Sequence, residues 1–136
     1  MNELFIEAKL ENVEVVMDFI NKRLGDCPSK TKSQIEIAVD EIFSNIARYA
    51  YSPGVGGAVV RIAVDGDITI EFEDSGVMYD PLSKQDPDTT LSAQERKIGG
   101  LGVFLVKNIM DSVEYRREGD KNILTVRKKG RSPSGI

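Results

Sequence analysis

Glu41 and Asn45 stand four residues apart in the segment IAVDEIFSNIARYAY, a spacing that sets two side chains one above the other on a helix. A helical wheel puts them beside the apolar stripe Ile35, Ala38, Val39, Ile42, Ile46 and Tyr49, not opposite it. A carboxylate there can take a proton from a hydroxyl or a water, and a carboxamide offers a neutral oxygen to a hard cation such as magnesium. The same spacing also describes a solvated polar pair with no chemistry. A second cluster is Asp74-Ser75-Gly76-Val77-Met78-Tyr79-Asp80-Pro81. An aspartate leaving a strand ahead of a glycine can point its carboxylate into a crevice and accept a hydrogen bond from an exocyclic amine such as adenine's, with Val77 and Met78 as apolar walls. A plain Asx turn, with Asp80-Pro81 as a second loop marker, fits those residues too. The third cluster is the glycine turn Gly99-Gly100-Leu101-Gly102, which runs straight into Val103, Leu105, Val106, Ile109 and Met110 at helical spacing. Free backbone N–H groups and the positive end of a helix dipole meet at such a turn and favour an anion, usually a phosphate. Arg96 and Lys97 lie just upstream as charge partners. Glycines that merely start a tightly packed helix are the alternative.

These clusters need elements to hold them. Residues 3–10 mix apolar and charged positions and are read as a strand. Glu11 to Leu24 repeats Val13, Val16, Met17, Ile20 and Leu24 at a helical period, with Asn12 as N-cap and Gly25 as stop. The longest helical segment runs from Pro28 to Tyr51 and is closed by the Pro- and Gly-rich turn 52–57. Ala58–Val64 and Ile68–Phe72 form a hairpin about Asp65-Gly66-Asp67, and Val113–Arg117 and Asn122–Arg127 a second about Glu118-Gly119-Asp120. Residues 83–97 are polar, nearly free of apolar anchors, and read as a mobile surface loop. The order strand, helix, helix, hairpin, loop, helix, hairpin favours an α/β two-layer sandwich: a mixed, mostly antiparallel sheet of about five strands with helices on one face. Residues 1–128 are expected to form one domain and 129–136 a disordered tail.

Composition narrows the chemistry. The chain has 136 residues, 40% hydrophobic and 29% charged, as in an ordinary globular protein. A net charge of −4 argues against a surface that binds nucleic acid directly. No histidine and a single cysteine, Cys27, make a zinc site and any His-dependent triad untenable, and leave no internal disulfide. Any metal should be a hard cation on oxygen ligands. No apolar run reaches the ~20 residues of a membrane span, and no signal-peptide core opens the chain. A cytoplasmic protein without a membrane partner is expected.

Taken together and in this order, the three clusters resemble the nucleotide-binding (Bergerat-type, GHKL) fold shared by gyrase, Hsp90, sensor histidine kinases and MutL, and within it the small anti-sigma factor serine/threonine kinases. IAVDEIFSNIARYAY is similar to that family's Asn motif, EDSGVMYDPL to its D-x-G-x-x-x-D-P box, and GGLGVFLVKNIMD to its second glycine box. The resemblance implies ATP and Mg2+ as ligands, Glu41 as general base and Asn45 as the magnesium residue. It implies Asp74 as the adenine contact, with Gly76, Met78 and Asp80 shaping the pocket. Gly99, Gly100, Leu101 and Gly102 would close over the phosphates with Arg96 and Lys97, on a lid formed by residues 83–98. Thr125 on the last strand completes the expected nucleotide set. Implied partners are an anti-sigma factor antagonist of the STAS type, a sigma factor, and a second copy of the chain through the strand at residues 3–10. Two departures are visible: Tyr49 stands where many relatives carry histidine, and Met78 replaces a glycine of the larger motif, as is usual in the small members. With no histidine to phosphorylate, the sensor-kinase activity lacks its acceptor. A non-catalytic module that uses ATP to switch partner binding is the alternative to a kinase.

Overall fold

The computed structural model describes residues 1–83 and 101–129. Its five strands are β1 (Asn2–Glu7), β2 (Gly57–Asp65), β3 (Asp67–Asp74), β4 (Ser112–Glu118) and β5 (Lys121–Lys128). They form one sheet in the order β1-β2-β3-β5-β4. Every ladder is antiparallel, so the expected mixed character is absent among the described residues. Both predicted hairpins are present, with Gly66 and Gly119 at their tips.

Strand alternation separates the two faces. Val60, Ile62, Ile68, Ile70, Phe72, Leu124 and Val126 point to one side and join a single core. The opposite side carries Glu3, Arg61, Glu71 and Glu73, with Arg61 bonded to Glu3 at 2.5 Å and Glu73 at 2.9 Å. Among the described residues three α-helices cover the apolar face: α1 (Val13–Leu24), α2 (Ser29–Asn45) and α3 (Leu101–Ile109). Val16, Ile20 and Leu24 of α1 and Ile35, Ala38, Val39, Ile42 and Phe43 of α2 are buried at helical spacing, which is why these segments are helices against a sheet. Cys27 packs against the same core, and burial pushes its thiol up, which suits a structural residue.

Some boundaries differ from the sequence reading. The strand expected over 3–10 ends at Glu7, because Ala8 turns into the core and Leu10–Asn12 makes a short 3-10 turn. Asn12 does precede α1, but its side chain donates from Nδ2 to the Glu7 carbonyl at 2.9 Å instead of capping the helix. The helix expected to Tyr51 changes its winding: α2 stops at Asn45 and a π-helical turn, Ile46–Ala50, carries the chain on. Such turns recur at functional sites. No helix among the described residues is long and apolar enough to cross a membrane. The loop expected at 83–97 and the tail expected at 129–136 lie, but for residues 83 and 129, outside the described residues.

Candidate functional site

The end of α2, the π-helical turn, the exit of β3 and the start of β5 surround an apolar pocket of about 170 Å³. Ile42, Ile46, Phe72 and Leu124 form its inner walls, and Tyr49, Val77, Met78 and Tyr79 its mouth. Asp74 belongs to this lining and is 6% exposed. Its Oδ1 accepts from the Gly76 N–H at 2.9 Å and from Asn122 Nδ2 at 2.9 Å. A buried carboxylate among apolar walls is a costly group unless bonded, and it supplies the one kind of atom that reads a donor on a ligand.

The turn after Asp74 is fitted closely to the π-helical turn. Val77 N–H donates to the Ala50 carbonyl at 3.0 Å. A Cβ at Gly76 would stand 2.6 Å from the Ala50 carbonyl carbon and 2.7 Å from its Cβ, and nearer still to its oxygen, so only glycine fits. Tyr51, just beyond, accepts from the Ser75 N–H at 2.7 Å and donates to the Gly57 carbonyl at 2.6 Å. Burial pushes the Tyr51 phenol up, while the bond from Ser75 works in the other direction. Tyr51→Phe is expected to destabilise the fold by about 1–2 kcal/mol by leaving both groups unpaired, read as a shift of the denaturant midpoint. Asp80 does not line the pocket; its Oδ1 accepts from Leu82 N–H at 2.8 Å and holds the short turn Pro81–Ser83 at the lip.

Glu41 and Asn45 lie on the face of α2 that meets the first turn of α3. A Cβ at Gly102 would stand 3.4 Å from Glu41 Cδ and 3.8 Å from Asn45 Nδ2, and within van der Waals overlap of Glu41 Oε2. The chain therefore passes within reach of both polar ends only because residue 102 has no side chain. Asn45 also lines the apolar pocket, and so joins the two parts. Among the described residues no group of three His, Cys, Asp or Glu could hold a metal by itself. A carboxamide oxygen with a nearby carboxylate suits magnesium, which takes one or two protein oxygens and completes its shell from phosphates and water.

Of the residues expected to act together, Glu41, Asn45 and Gly102 converge, as do Asp74, Gly76 and Met78. Arg96, Lys97, Gly99 and Gly100 lie outside the described residues, and Leu101 is the first residue of α3. Thr125 is a correction. It pairs with Glu71 and Glu114 and falls between Leu124 and Val126, which face the helices, so its side chain is on the opposite face of the sheet from the pocket. Thr125→Val should accordingly leave nucleotide affinity unchanged in a titration. The β5 residue that does reach the pocket is Asn122, directly opposite Asp74 in the ladder. Its signal is a polar residue in phase with Leu124 and Val126, which face the core.

Comparison with known proteins gives a consistent picture. The family model described as "Histidine kinase-like ATPase domain" matches residues 6–128. The serine-protein kinase RsbW of Bacillus cereus (strain AH820) is 28% identical over 130 residues, covering 90% of this chain and 81% of that protein. The serine-protein kinase RsbW of Halalkalibacterium halodurans is 30% identical over 123 residues, covering 85% and 75%. The serine/threonine-protein kinase BtrW of Bordetella bronchiseptica is 25% identical over 100 residues, covering 72% and 70%. Among solved structures, the RsbU and RsbW domains of a Mycobacterium tuberculosis protein share the fold at a TM-score of 0.64 and 13% identity. That match covers 98% of this chain, which spans 34% of the longer one.

Proposed function

Because the chain belongs to the histidine kinase-like ATPase domain family, we propose that it is an ATP-dependent anti-sigma factor serine/threonine protein kinase. Its substrate is an anti-sigma factor antagonist of the STAS type, and phosphorylation of that partner regulates a sigma factor. The observation that carries this reading is the continuity, through Asn45, of an apolar pocket containing Asp74 with the cluster Glu41–Asn45–Gly102. The names of its relatives, serine-protein kinases at 25–30% identity, support the same class of chemistry.

In this reading the pocket takes adenine, and Asp74 accepts from the exocyclic amine through the oxygen not engaged by Gly76 and Asn122. Met78 and Val77 cover the base. Asn45 would hold magnesium through its amide oxygen, and a bound ion there would supply positive charge to the phosphate oxygens. Glu41 takes the proton of the partner's serine hydroxyl as that oxygen bonds to the γ-phosphorus and the bond to the β-phosphate oxygen breaks. Backbone N–H groups at Gly102 and Leu101 face the phosphates at the start of α3. Gly99, Gly100, Arg96 and Lys97 are assigned to the phosphates on the resemblance. The edge strand β1, which among the described residues pairs only with β2, is assigned to a second copy of the chain.

Incubation with γ-labelled ATP, Mg2+ and a STAS-domain partner tests the reading. Label on a partner serine is expected. Nucleotide binding without transfer would instead favour the switching module. Absence of any thermal shift with ATP–Mg2+ would remove nucleotide binding altogether, since a ligand of the native state must stabilise it.

A further inference from the structure

Asn122 is 7% exposed and every polar atom of its amide is engaged. Its Oδ1 accepts from the Tyr115 hydroxyl at 2.6 Å and from Arg117 Nη1 at 3.1 Å. Its Nδ2 donates to Asp74 Oδ1 at 2.9 Å and to the Val77 carbonyl at 2.9 Å. Donors converge on one end of the amide and acceptors on the other. Turning it over would set its NH2 against a guanidinium and its oxygen against two oxygens, so the amide has one orientation. Arg117 Nη1 also donates to the Gly76 carbonyl at 3.2 Å, which ties the turn after Asp74 to β4.

The effect on Asp74 is a clamp. Two N–H donors, from Gly76 and Asn122, fall on one oxygen and fix the carboxylate between a backbone turn and a side chain that itself cannot rotate. A carboxylate free to swing can serve either class of purine, because a 6-amino purine offers its exocyclic N–H2 while a 6-oxo purine offers its ring N1–H about one bond away. A fixed carboxylate serves one position only. Presented with the carbonyl of a 6-oxo purine, it sets acceptor against acceptor.

We infer that Asn122 is a positioning residue that makes the pocket select 6-amino over 6-oxo purines, by holding Asp74 in a single orientation through the Tyr115 and Arg117 bonds. This rests on the nucleotide-binding reading above.

The test is a pair of titrations with ATP and inosine triphosphate, which share ribose and phosphates, so that only the base differs. The wild-type chain should prefer ATP by about tenfold or more, the size of one hydrogen bond to a charged group. Asn122→Leu should bring the ratio to about threefold or less, and Tyr115→Phe, which removes a single donor to Asn122, should bring it part of the way. A purely structural role lowers both affinities together and leaves the ratio unmoved. If Asn122→Leu does not fold, the Tyr115→Phe ratio decides. An unchanged ratio in the folded variants overturns the inference while ATP binding stands. Failure of the wild-type chain to bind ATP overturns the nucleotide reading and this inference with it.

Discussion

Glu41→Ala is expected to lower phosphoryl transfer to the partner serine by about 10²–10⁴-fold, the contribution of a positioned general base, with ATP affinity close to that of the wild-type chain. The expectation comes from where the carboxylate sits. It lies against Gly102 at the start of α3 and is not part of the apolar lining that would hold the base. It is also only half-buried, so its removal leaves no large cavity. Single-turnover label transfer beside a calorimetric titration with ATP separates the two effects. Glu41→Gln, which keeps the shape and loses the base, should give the same result. A parallel loss of binding and transfer would count against the assignment.

Gly76→Ala should cost the fold about 3 kcal/mol, at the upper end of overpacking effects, and lower the melting temperature by about 10 °C in a chain of this size. The added methyl would meet the Ala50 backbone, which cannot swing aside. Its displacement would also strain the Val77–Ala50 bond and the Gly76 N–H bond to Asp74, so nucleotide affinity should fall with stability. Gly102→Ala makes an instructive contrast. There the methyl meets the end of a flexible glutamate side chain. The melting temperature should hold while transfer falls, because Glu41 moves out of place. Thermal denaturation and label transfer on both variants distinguish a glycine required by the backbone from one required by a neighbouring carboxylate.

Most of the architecture could be read from residue order, for a plain reason. The strands of this sheet bury one face, so their alternation is clear in sequences such as AVVRIAV and ITIEF, and the helices keep a 3.6-residue stripe. What failed lies where local pattern and tertiary fit diverge. The π-helical turn leaves no mark in IARYA, and the bond from Val77 N–H to the Ala50 carbonyl that accompanies it joins residues too far apart for local spacing to encode. Asn12 sits at the predicted cap position, yet its amide finds a better acceptor in Glu7. Thr125 carries a suitable side chain on the wrong strand face, and applying the period of two from Leu124 would have excluded it. Glu41, Asn45 and Gly102 were each visible as motif residues, but their convergence depends on how α3 crosses α2, which no local spacing encodes. Tyr115 and Arg117 were missed because an alternating strand offers no reason to prefer them over Arg116, and only the position of Asn122 across the ladder gives them a purpose.

The π-helical turn after Asn45 bears on how this chain tolerates changes in length. Such a turn is an α-helix that has absorbed one extra residue, so a single deletion within Ile46–Ala50 would restore ordinary winding and leave the residues on either side close to their present phase. What such a deletion costs depends on which residue is lost, since Tyr49 stands at the pocket mouth and the Ala50 carbonyl accepts from Val77 N–H. Tyr51, beyond the turn, keeps its bonds to Ser75 and Gly57. A one-residue deletion here is therefore better borne than one in the middle of α2, which would rotate the rest of the helix by about 100°. In an alignment, a relative wound as a plain α-helix would show a one-column gap between Asn45 and Tyr51, and the residues on either side of that gap should be compared only after it is placed.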